Sequence, residues 1–343
     1  MGNTFPIEVF RVSGSNYEMG SKIGSRFKEK ITKFAESSMA LKKLRKVADK
    51  ARYAKLIECA NRRFSQYMEE IKGISDGSGV AYNDLLLLNF KYENLGTGCS
   101  TVIFKGDDSI ILGHNEDGER ENEDKAFILV AEPLGGTPFL VYCYPGMIPG
   151  NAFSFNSRGI VMTGNAMPTP DPKVGVPRHL VDRSVIEATS IDDALERALL
   201  PERASGFSYN LVSLKEKRAV NLETTSQRHC VTRVDGAFFH TNHYVSAGLA
   251  GIRQNASESS LVRYGQGIKM VSKADVASEK RVLEILFSTA NEPNSIYASG
   301  GPGNSWTLCT AVFEVSEDIR LKVHARKERN CKPLALTTAV FGG

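Results

Sequence analysis

The sequence lacks the features that mark several classes of protein. None of its 343 residues lies in an apolar run near the roughly 18 residues that a membrane-spanning helix requires. The first residues do not show the basic and then apolar layout of a secretion signal. The six cysteines include no C-x-x-C pair and no cysteine–histidine ligand spacing, which argues against a structural zinc site. These absences favour a cytoplasmic protein with no membrane partner and no bound metal.

Net charge is also scarce, because 43 basic and 39 acidic side chains leave only +4. So small an excess does not predict a nucleic acid or an anionic membrane surface as the main partner. A strongly basic stretch lies within residues 42–63, with few aromatic residues between its charges. We interpret it as the solvated face of a helix. The alternative is a non-catalytic protein that binds polyanions through this stretch in a salt-sensitive way.

The order of the predicted elements indicates an α+β fold. Ser15 and Glu18 form a capping box before a first helix, and apolar periodicity predicts a longer helix over about 38–73. Farther along, β-rich runs predominate, with helical patterns between them, which is typical of largely antiparallel sheets covered by helices. We therefore divide the chain into a mostly helical N-terminal segment, residues 1–98, and a strand-rich segment, residues 99–343. The two are expected to form one compact fold.

A hairpin is predicted directly after Cys99, with its turn centred on Gly106 and Asp107. In the simplest register the numbers of paired residues sum to about 213, so Cys99 lies opposite His114 and Asp117 lies just beyond. A thiol, an imidazole and a carboxylate would then gather at one end of the hairpin. One enzyme that such a group permits is a Cys99–His114 thiol hydrolase that never cleaves itself.

The step from Gly98 to Cys99 permits a second kind of chemistry. A glycine before the cysteine removes side-chain bulk and allows strained backbone geometry, which suits attack of the thiol on the Gly98 carbonyl. The resulting N-to-S acyl shift, followed by hydrolysis, would cut the chain and free the α-amino group of Cys99. The unperturbed pKa of such an amine, about 7.7–8.0, makes it a general base for the thiol of the same residue. Taken alone, the glycine and cysteine also fit a buried structural thiol.

Short motifs spread along the chain carry a resemblance to a known family. They are GSNYEMG at 14–20, EEIKGI at 69–74, LLN at 87–89, GCST at 98–101, GHNED at 113–117, FNSRGI at 155–160, GNA at 164–166 and HTNHY at 240–244. In order and spacing they resemble acyl-CoA:6-aminopenicillanic acid acyltransferase and its hydrolase relatives. These are self-cleaving N-terminal nucleophile (Ntn) hydrolases with a cysteine nucleophile. The resemblance implies an αββα four-layer sandwich in which Cys99 opens an inner strand after cleavage.

The resemblance also implies roles for individual residues. Cys99 would be the cleavage residue and the nucleophile, and Asp117 would help to hold its α-amino group. Asn242 would stabilise the oxyanion as a neutral amide donor, with Asn165 as a second asparagine beside it. Thr225 falls where relatives carry a small hydroxyl residue, so we expect it to bind substrate.

Two residues depart from the acyltransferase pattern. His114 and Glu116 replace its glutamine and tryptophan, and we expect them to shape the substrate pocket. Residues 295–298, the best match to the region of the acyltransferase's functional arginine, contain no arginine. These departures favour a hydrolase over an acyltransferase. The resemblance implies no metal or organic cofactor, although a coenzyme A thioester could serve as an acyl-donating substrate.

We therefore predict a self-processing cysteine amidohydrolase that acts on the amide bond of a small acylated amine or amino acid. Cys99 would form a thioester acyl-enzyme that is released to water. An acyl-CoA-dependent N-acyltransferase on the same scaffold is the first alternative, since an amine could capture the same intermediate. The two fragments are expected to stay associated, a homo-oligomer is left open, and no nucleic-acid partner is expected.

Overall fold

The computed structural model describes residues 5–47, 49–90, 98–273, 277–300, 305–326 and 331–342. The N-terminal part contains β1 (Glu8–Gly14), α1 (Asn16–Arg26), α2 (Lys28–Ser37), α3 (Met39–Val47), α4 (Lys50–Ser78) and α5 (Tyr82–Asn89). Among the helices of these ranges, none is long and apolar enough to cross a bilayer.

Local capping explains where these helices begin. The predicted capping box is present at α1, where Ser15 Oγ accepts from Glu18 N and Glu18 Oε2 accepts from Ser15 N. The single helix expected over 38–73 is instead two helices, α3 and α4. The reason is Asp49, whose carboxylate accepts from Ala51 N at 2.9 Å and caps a new helix.

The remaining elements form two sheets and four further helices. The strands are β2 (Ser100–Lys105), β3 (Ile110–Glu119), β4 (Phe127–Pro133), β5 (Phe139–Cys143), β6 (Ser154–Asn156), β7 (Ile160–Asn165), β8 (Phe207–Ser213), β9 (Arg218–Thr224), β10 (His229–Arg233), β11 (Gly236–His240), β12 (Ser305–Val315), β13 (Ile319–Ala325) and β14 (Leu334–Thr337). The helices are α6 (Arg178–Val185), α7 (Ile191–Ala198), α8 (Glu258–Val271) and α9 (Glu279–Leu286). One sheet has the order β1-β4-β5-β6-β7-β8-β9-β10 and the other has the order β11-β2-β3-β12-β13-β14.

The apolar side chains fall into cores that define four layers. Leu112 and Phe313 of the six-stranded sheet pack against Leu140 and Phe155 of the eight-stranded sheet in the central core. The other face of the eight-stranded sheet packs against the helical layer α1–α7. The other face of the six-stranded sheet packs against α8 and α9. The expected α+β class, with an αββα sandwich of largely antiparallel sheets, is confirmed.

The register of the β2–β3 hairpin differs from the prediction. Thr101 pairs with His114, so paired numbers sum to 215, and the expectation that Cys99 faces His114 is wrong. The turn lies farther along the chain than expected, because Gly106 N donates to Ser109 O at 2.9 Å. The same register, continued one step, sets Cys99 across from Glu116. Since the shift is two residues, all of these side chains keep the face that was predicted.

Glycines bring α1 and α4 into close contact. A Cβ on Gly20 would lie 2.1 Å from the carbonyl oxygen of Glu70, and one on Gly73 would lie 2.2 Å from that of Tyr17. Gly77 makes a similar approach to the backbone of α1. Backbones that touch in this way leave no room for a side chain at these positions. The helical layer is therefore a rigid support for the sheet below it.

Candidate active site

Cys99 lies one residue before β2 and only 6% of its surface is exposed. It lines a pocket together with Glu116 and Asp117 of β3. Tyr144, which follows β5, and Arg178 of α6 also line this pocket. A thiol, two carboxyl groups and a guanidinium therefore face one cavity, which makes it the candidate for the reactive site.

Two side chains from much later in the sequence hold the backbone of Cys99. Cys99 N donates to Asn242 Oδ1 at 3.0 Å, and Arg263 Nη1 donates to Cys99 O at 2.8 Å. Arg263 also links the two contacts, because its Nη2 donates to Asn242 Oδ1 at 2.7 Å. The backbone of Cys99 is therefore fixed on both its N–H and its C=O side.

This arrangement requires glycine at position 98, because a side chain there would collide with Arg263 and Asn242. A Cβ at this position would lie 2.3 Å from Arg263 Nη2 and 2.6 Å from Asn242 Oδ1. Its φ does not lie in the left-handed region. Glycine is therefore needed here because a side chain would not fit, and not because the backbone adopts a conformation that favours glycine.

Asn242 is positioned by a loop that follows β11. Its N–H donates to Ser260 Oγ at 2.9 Å, and its Nδ2 donates to Ala166 O at 2.9 Å. The preceding His240 is fully buried and lies 2.7 Å from the carboxylate of Glu223. Burial raises the pKa of Glu223, but its bonds from His240 and from two backbone N–H groups outweigh that effect and lower it. The loop is therefore anchored by a buried hydrogen bond between His240 and the Glu223 carboxylate.

Asp117 is a buried carboxyl group whose surroundings oppose its ionisation. Burial raises its pKa to about 7, although Arg263 and a hydrogen bond from Thr307 Oγ1 at 2.7 Å act in the opposite direction. The neighbouring Glu116 raises it further. Asp117 therefore changes charge close to neutral pH, in the range where a catalytic group is useful.

The thiol of Cys99 is held in its protonated form. Burial raises the pKa of this thiol well above its usual value, and the charges of Glu116 and Asp117 raise it further. A hydrogen bond from the backbone of Asp117 and the charge of Arg263 lower it only in part. A thiol in this environment needs a nearby base before it can attack a carbonyl.

Glu116 links the thiol to a chain of buried polar groups. Its Oε2 lies 4.0 Å from Cys99 Sγ and 3.0 Å from His114 Nε2, and its Oε1 accepts from Tyr144 OH at 2.6 Å. On its other side, His114 Nδ1 lies 2.9 Å from Thr101 Oγ1. The sulfur, nitrogen and oxygen atoms of this group lie within 4.8 Å of one another, close enough to hold a metal ion. The expected absence of a bound metal stays a prediction.

Asn165, at the end of β7, belongs to the same polar chain. Its Oδ1 accepts from Thr101 Oγ1 at 2.9 Å and from Asn210 Nδ2 at 2.8 Å. Its Nδ2 is buried and has no hydrogen-bond partner among the residues that the structure describes. A buried amide donor without a partner is costly unless a ligand or reaction intermediate uses it.

Thr225 lies elsewhere, in the turn between β9 and β10. Its hydroxyl donates to Asp171 Oδ2 at 2.8 Å, and its carbonyl accepts from Arg203 Nε at 2.7 Å. In the described part of the chain, no hydrogen bond joins it to the group around Cys99. Its expected contact with substrate stays a prediction.

Arg263 is the site residue that the sequence did not reveal. It lies on α8, is only 3% exposed, and receives support from Ser259 Oγ, which accepts from its Nε at 3.2 Å. Residues 295–298, which match the region of the acyltransferase's functional arginine, contain none. The arginine at this site comes from a helix earlier in the chain. In the sequence, Arg263 is the one arginine of a helical pattern, and none of its neighbours indicates that it is buried.

Comparisons with known proteins show the family of the chain and do not test its individual site residues. The family model described as acyl-coenzyme A:6-aminopenicillanic acid acyl-transferase matches residues 104–328, which include Asp117, Asn165, Asn242 and Arg263. The chain is 27% identical over 216 residues to a β-alanyl-dopamine/carcinine hydrolase of Drosophila melanogaster. That match covers 55% of this chain and spans 56% of the length of the Drosophila protein.

Other similar proteins cover more of the chain. The 40 kDa form of acyl-coenzyme A:6-aminopenicillanic-acid-acyltransferase from Emericella nidulans is 25% identical over 318 residues, 88% of each chain. Two solved structures are also similar. A mutant conjugated bile acid hydrolase of Clostridium perfringens is 12% identical, covers 70% of this chain and 92% of that one, and has a TM-score of 0.46. Penicillin V acylase of Agrobacterium tumefaciens is 10% identical, covers 70% and 85%, and has a TM-score of 0.43. Because the family model matches more than half of the sequence, the chain belongs to the acyl-coenzyme A:6-aminopenicillanic acid acyl-transferase family.

Proposed function

We propose that the chain cuts itself between Gly98 and Cys99 and then hydrolyses an amide bond of a small acylated amine or amino acid. The observation that carries this proposal is the clamp on the scissile bond. Asn242 and Arg263 fix the backbone of Cys99, and both approach Gly98 so closely that only glycine fits. A buried structural cysteine would need none of these contacts.

Cleavage would begin with attack of Cys99 Sγ on the carbonyl carbon of Gly98. The nitrogen that leaves is the one whose N–H already donates to Asn242 Oδ1. A thioester between Gly98 and the Cys99 sulfur would result, and water would hydrolyse it. The α-amino group of Cys99 would then be free on the same residue as the nucleophile, as an N-terminal base requires.

Turnover would use the same residues with a new base. The α-amino group would take the thiol proton, and Asp117 would balance its positive charge. Attack on the substrate amide would place negative charge on the carbonyl oxygen. Asn242 Nδ2 has a second hydrogen for that oxygen, and Asn165 Nδ2 is a buried donor with no partner among the described residues. Both support the oxyanion role, which removes several kcal/mol from such barriers.

The fragments before and after the cut would stay associated. Phe27 of α1 stacks on Phe127 of β4 at 3.8 Å, and β1 pairs with β4 along its whole length. Asn89 of α5 donates to Gly146 O at 3.0 Å, so the last described helix of the N-terminal segment is also bonded to the rest of the molecule. Such an interface resembles a domain core rather than a surface contact.

Among the described residues, three carboxyl side chains line the pocket against the one guanidinium of Arg178, which favours an acyl group that carries a positive charge. Glu116 and Asp117 lie beside the nucleophile, and the exposed Glu119 lies at the same pocket wall. An ammonium group near the scissile carbonyl would reduce the repulsion between these carboxylates. This charge pattern agrees with the β-alanyl amides in the name of the Drosophila relative. A β-alanyl amide is therefore the substrate class that we propose to test first.

An N-acyltransferase is the second candidate. The observation in its favour is the Emericella acyltransferase, whose similarity extends over 88% of both chains. The two activities share the thioester and differ in what releases it. Product analysis in the presence of rising amine concentrations separates them, because a transferase forms a new amide faster than the free acid.

The experiment that tests the proposed function is capture of the acyl-enzyme. The protein is quenched in acid during turnover of a panel of β-alanyl, glycyl and fatty-acyl amides, and the fragment that begins at Cys99 is weighed. We expect this fragment to gain the mass of one acyl group in wild type and in Cys230→Ala, which removes a half-buried cysteine elsewhere. Cys99→Ala should show neither the adduct nor turnover. Hydrolysis by Cys99→Ala at the wild-type rate would contradict the proposal.

A further inference from the structure

Self-cleavage raises a problem that turnover does not have. The base proposed for turnover is the α-amino group of Cys99, and before the cut this nitrogen is part of a peptide bond. Its N–H donates to Asn242 Oδ1 at 3.0 Å, and an amide nitrogen does not take up a proton near neutral pH. The thiol must therefore lose its proton to another group in the uncut chain.

Glu116 is the group that the structure places at the thiol. Its Oε2 lies 4.0 Å from Cys99 Sγ, within the reach of an S–H hydrogen bond. The hairpin register sets the two residues across from each other, and Glu116 is only 5% exposed. Asp117 bonds to the sulfur through its backbone instead, and its carboxyl group accepts from Thr307.

The Glu116 carboxylate is fixed in a position to accept this proton. Tyr144 OH donates to Oε1 at 2.6 Å, which turns Oε2 toward the sulfur. Burial and the charge of Glu116 raise the pKa of Tyr144, so the phenol keeps its proton and remains a donor. His114 Nε2 lies 3.0 Å from Oε2 and is held in turn by Thr101.

We propose that Glu116 is the general base that starts self-cleavage, taking the proton of Cys99 Sγ in the uncut chain. This inference rests on the proposed cleavage between Gly98 and Cys99. The thiolate forms a bond to the Gly98 carbonyl carbon, the C–N bond breaks, and Glu116 returns its proton to the leaving nitrogen. One water then hydrolyses the thioester and restores the thiol.

The role of Glu116 as base ends with this first event. Once the α-amino group of Cys99 is free, a base stands on the same residue as the nucleophile. Loss of the carboxylate should therefore slow maturation far more than it slows turnover by chains that are already cut. A residue that merely supports the fold would affect both steps together.

The test is a time course of intact mass on freshly purified protein at pH 7. Wild type is compared with Glu116→Gln, Glu116→Asp and Glu132→Gln, where Glu132 is an exposed carboxylate at the end of β4. We expect Glu116→Gln to cut about 100-fold more slowly or worse, the range of a lost general base. Glu116→Asp should fall between the two, and Glu132→Gln should match wild type.

Two further readouts separate a base from a structural residue. Cleavage of Glu116→Gln should rise about tenfold per pH unit between pH 6 and 8, because only prior ionisation of the thiol remains. Wild type should rise far less, with His114, Asp117, Tyr144 and Arg263 as the other ionisable groups around the site. In Glu116→Gln, kcat per cut chain should fall far less than the cleavage rate does, while KM for a β-alanyl amide should rise because the pocket loses one carboxylate.

Equal cleavage rates in wild type and in folded Glu116→Gln would overturn the inference and leave the proposed function intact. If Glu116→Gln does not fold, the wild-type pH profile decides, since a tenfold rise per pH unit in wild type contradicts a carboxylate base. A wild-type chain that never cuts would refute self-cleavage itself, and the inference would fall with it.

Discussion

Two buried clusters in this molecule have the same charges and different roles. In the helical layer, Arg183 lies between Glu70 and Glu187, and its guanidinium donates to both carboxylates. At the site, Arg263 lies near Glu116 and Asp117, but its donors end on Cys99 O, Ser100 Oγ, Asn242 and Ser259. Within the described residues, no ion pair joins Arg263 to a carboxylate.

The two clusters differ in which atoms accept the hydrogen bonds of the buried guanidinium group. Arg183 neutralises its partners directly and is flanked by the rings of Tyr67 and Phe139, so the cluster is closed. Arg263 donates instead to neutral oxygen atoms of Cys99 and of the residues around it. The carboxyl groups beside the thiol are then only partly compensated, and the pKa of Asp117 rises to about 7. Burial also raises the pKa of Glu70 in the closed cluster, although Arg183 lowers it, so the two clusters differ in where the guanidinium donors end and not in the direction of the pKa shift.

The largest expected effect is on stability, at the closed cluster. In a Cys99→Ala background, which keeps the chain uncut, Arg183→Ala should lower the free energy of unfolding by about 3–5 kcal/mol, because two carboxylates lose their buried partner. Arg263→Ala should cost less, since Asp117 can take up a proton. Urea denaturation at pH 7 measures both. A greater loss for Arg263→Ala would invert the comparison.

The next effect is on cleavage and comes from Gly98. Gly98→Ala should slow self-cleavage by about 100-fold, because the new methyl group displaces Arg263 and Asn242 from the scissile bond, a shift of the kind that costs this much in other enzymes. The mass time course measures it. Gly265→Ala is the matched control, since a Cβ on this residue of α8 would meet nothing within 4 Å. Equal rates in the two variants would show that the clamp is not needed.

A smaller effect is expected from Arg263→Lys. Lysine keeps the charge but lacks the planar fork that reaches Cys99 O and Asn242 Oδ1 together. We expect self-cleavage to slow by about 10- to 30-fold, because one or two hydrogen bonds from a charged group are lost. The unfolding transition should change little. If the lysine variant cuts at the wild-type rate, charge alone suffices and the fork geometry has no role.

The effect that is smallest per pH unit is the pH dependence that Asp117 gives to stability. Its folded pKa, about 7, lies above the usual value of 3.8, so between these values the folded chain binds a proton that the unfolded chain has lost. Stability therefore falls as pH rises through this window, by at most about 1.4 kcal/mol per pH unit. Asp117→Asn should remove this fall, as measured by thermal unfolding from pH 4 to 7 in the Cys99→Ala background. An unchanged slope would show that Asp117 titrates normally.

The parts that the sequence predicted correctly are those that local chemistry or a motif specifies. The capping box at Ser15 needs only nearby residues, the order of helices and strands predicts the α+β class, and the family resemblance implies the sandwich. The same motifs led to Cys99, Asp117 and Asn165, which the structure places in one polar region.

The parts that it missed depend on distant or finely balanced geometry. The hairpin register was two residues off because the turn at Gly106 could close in more than one way, so Cys99 was paired with His114 rather than Glu116. Arg263 could not be found because its burial depends on how α8 packs on the six-stranded sheet. No residue beside Arg263 in the sequence indicates that it contacts Cys99, which lies 164 positions away.

The most direct test of the account is the intact mass of freshly purified wild type beside Cys99→Ala. The account predicts that wild type yields two fragments, one ending at Gly98 and one beginning at Cys99, which elute together from a sizing column, while the variant stays whole. A wild-type chain that stays whole after long incubation, or a Cys99→Ala chain that is cut at the same bond, would contradict self-cleavage by Cys99.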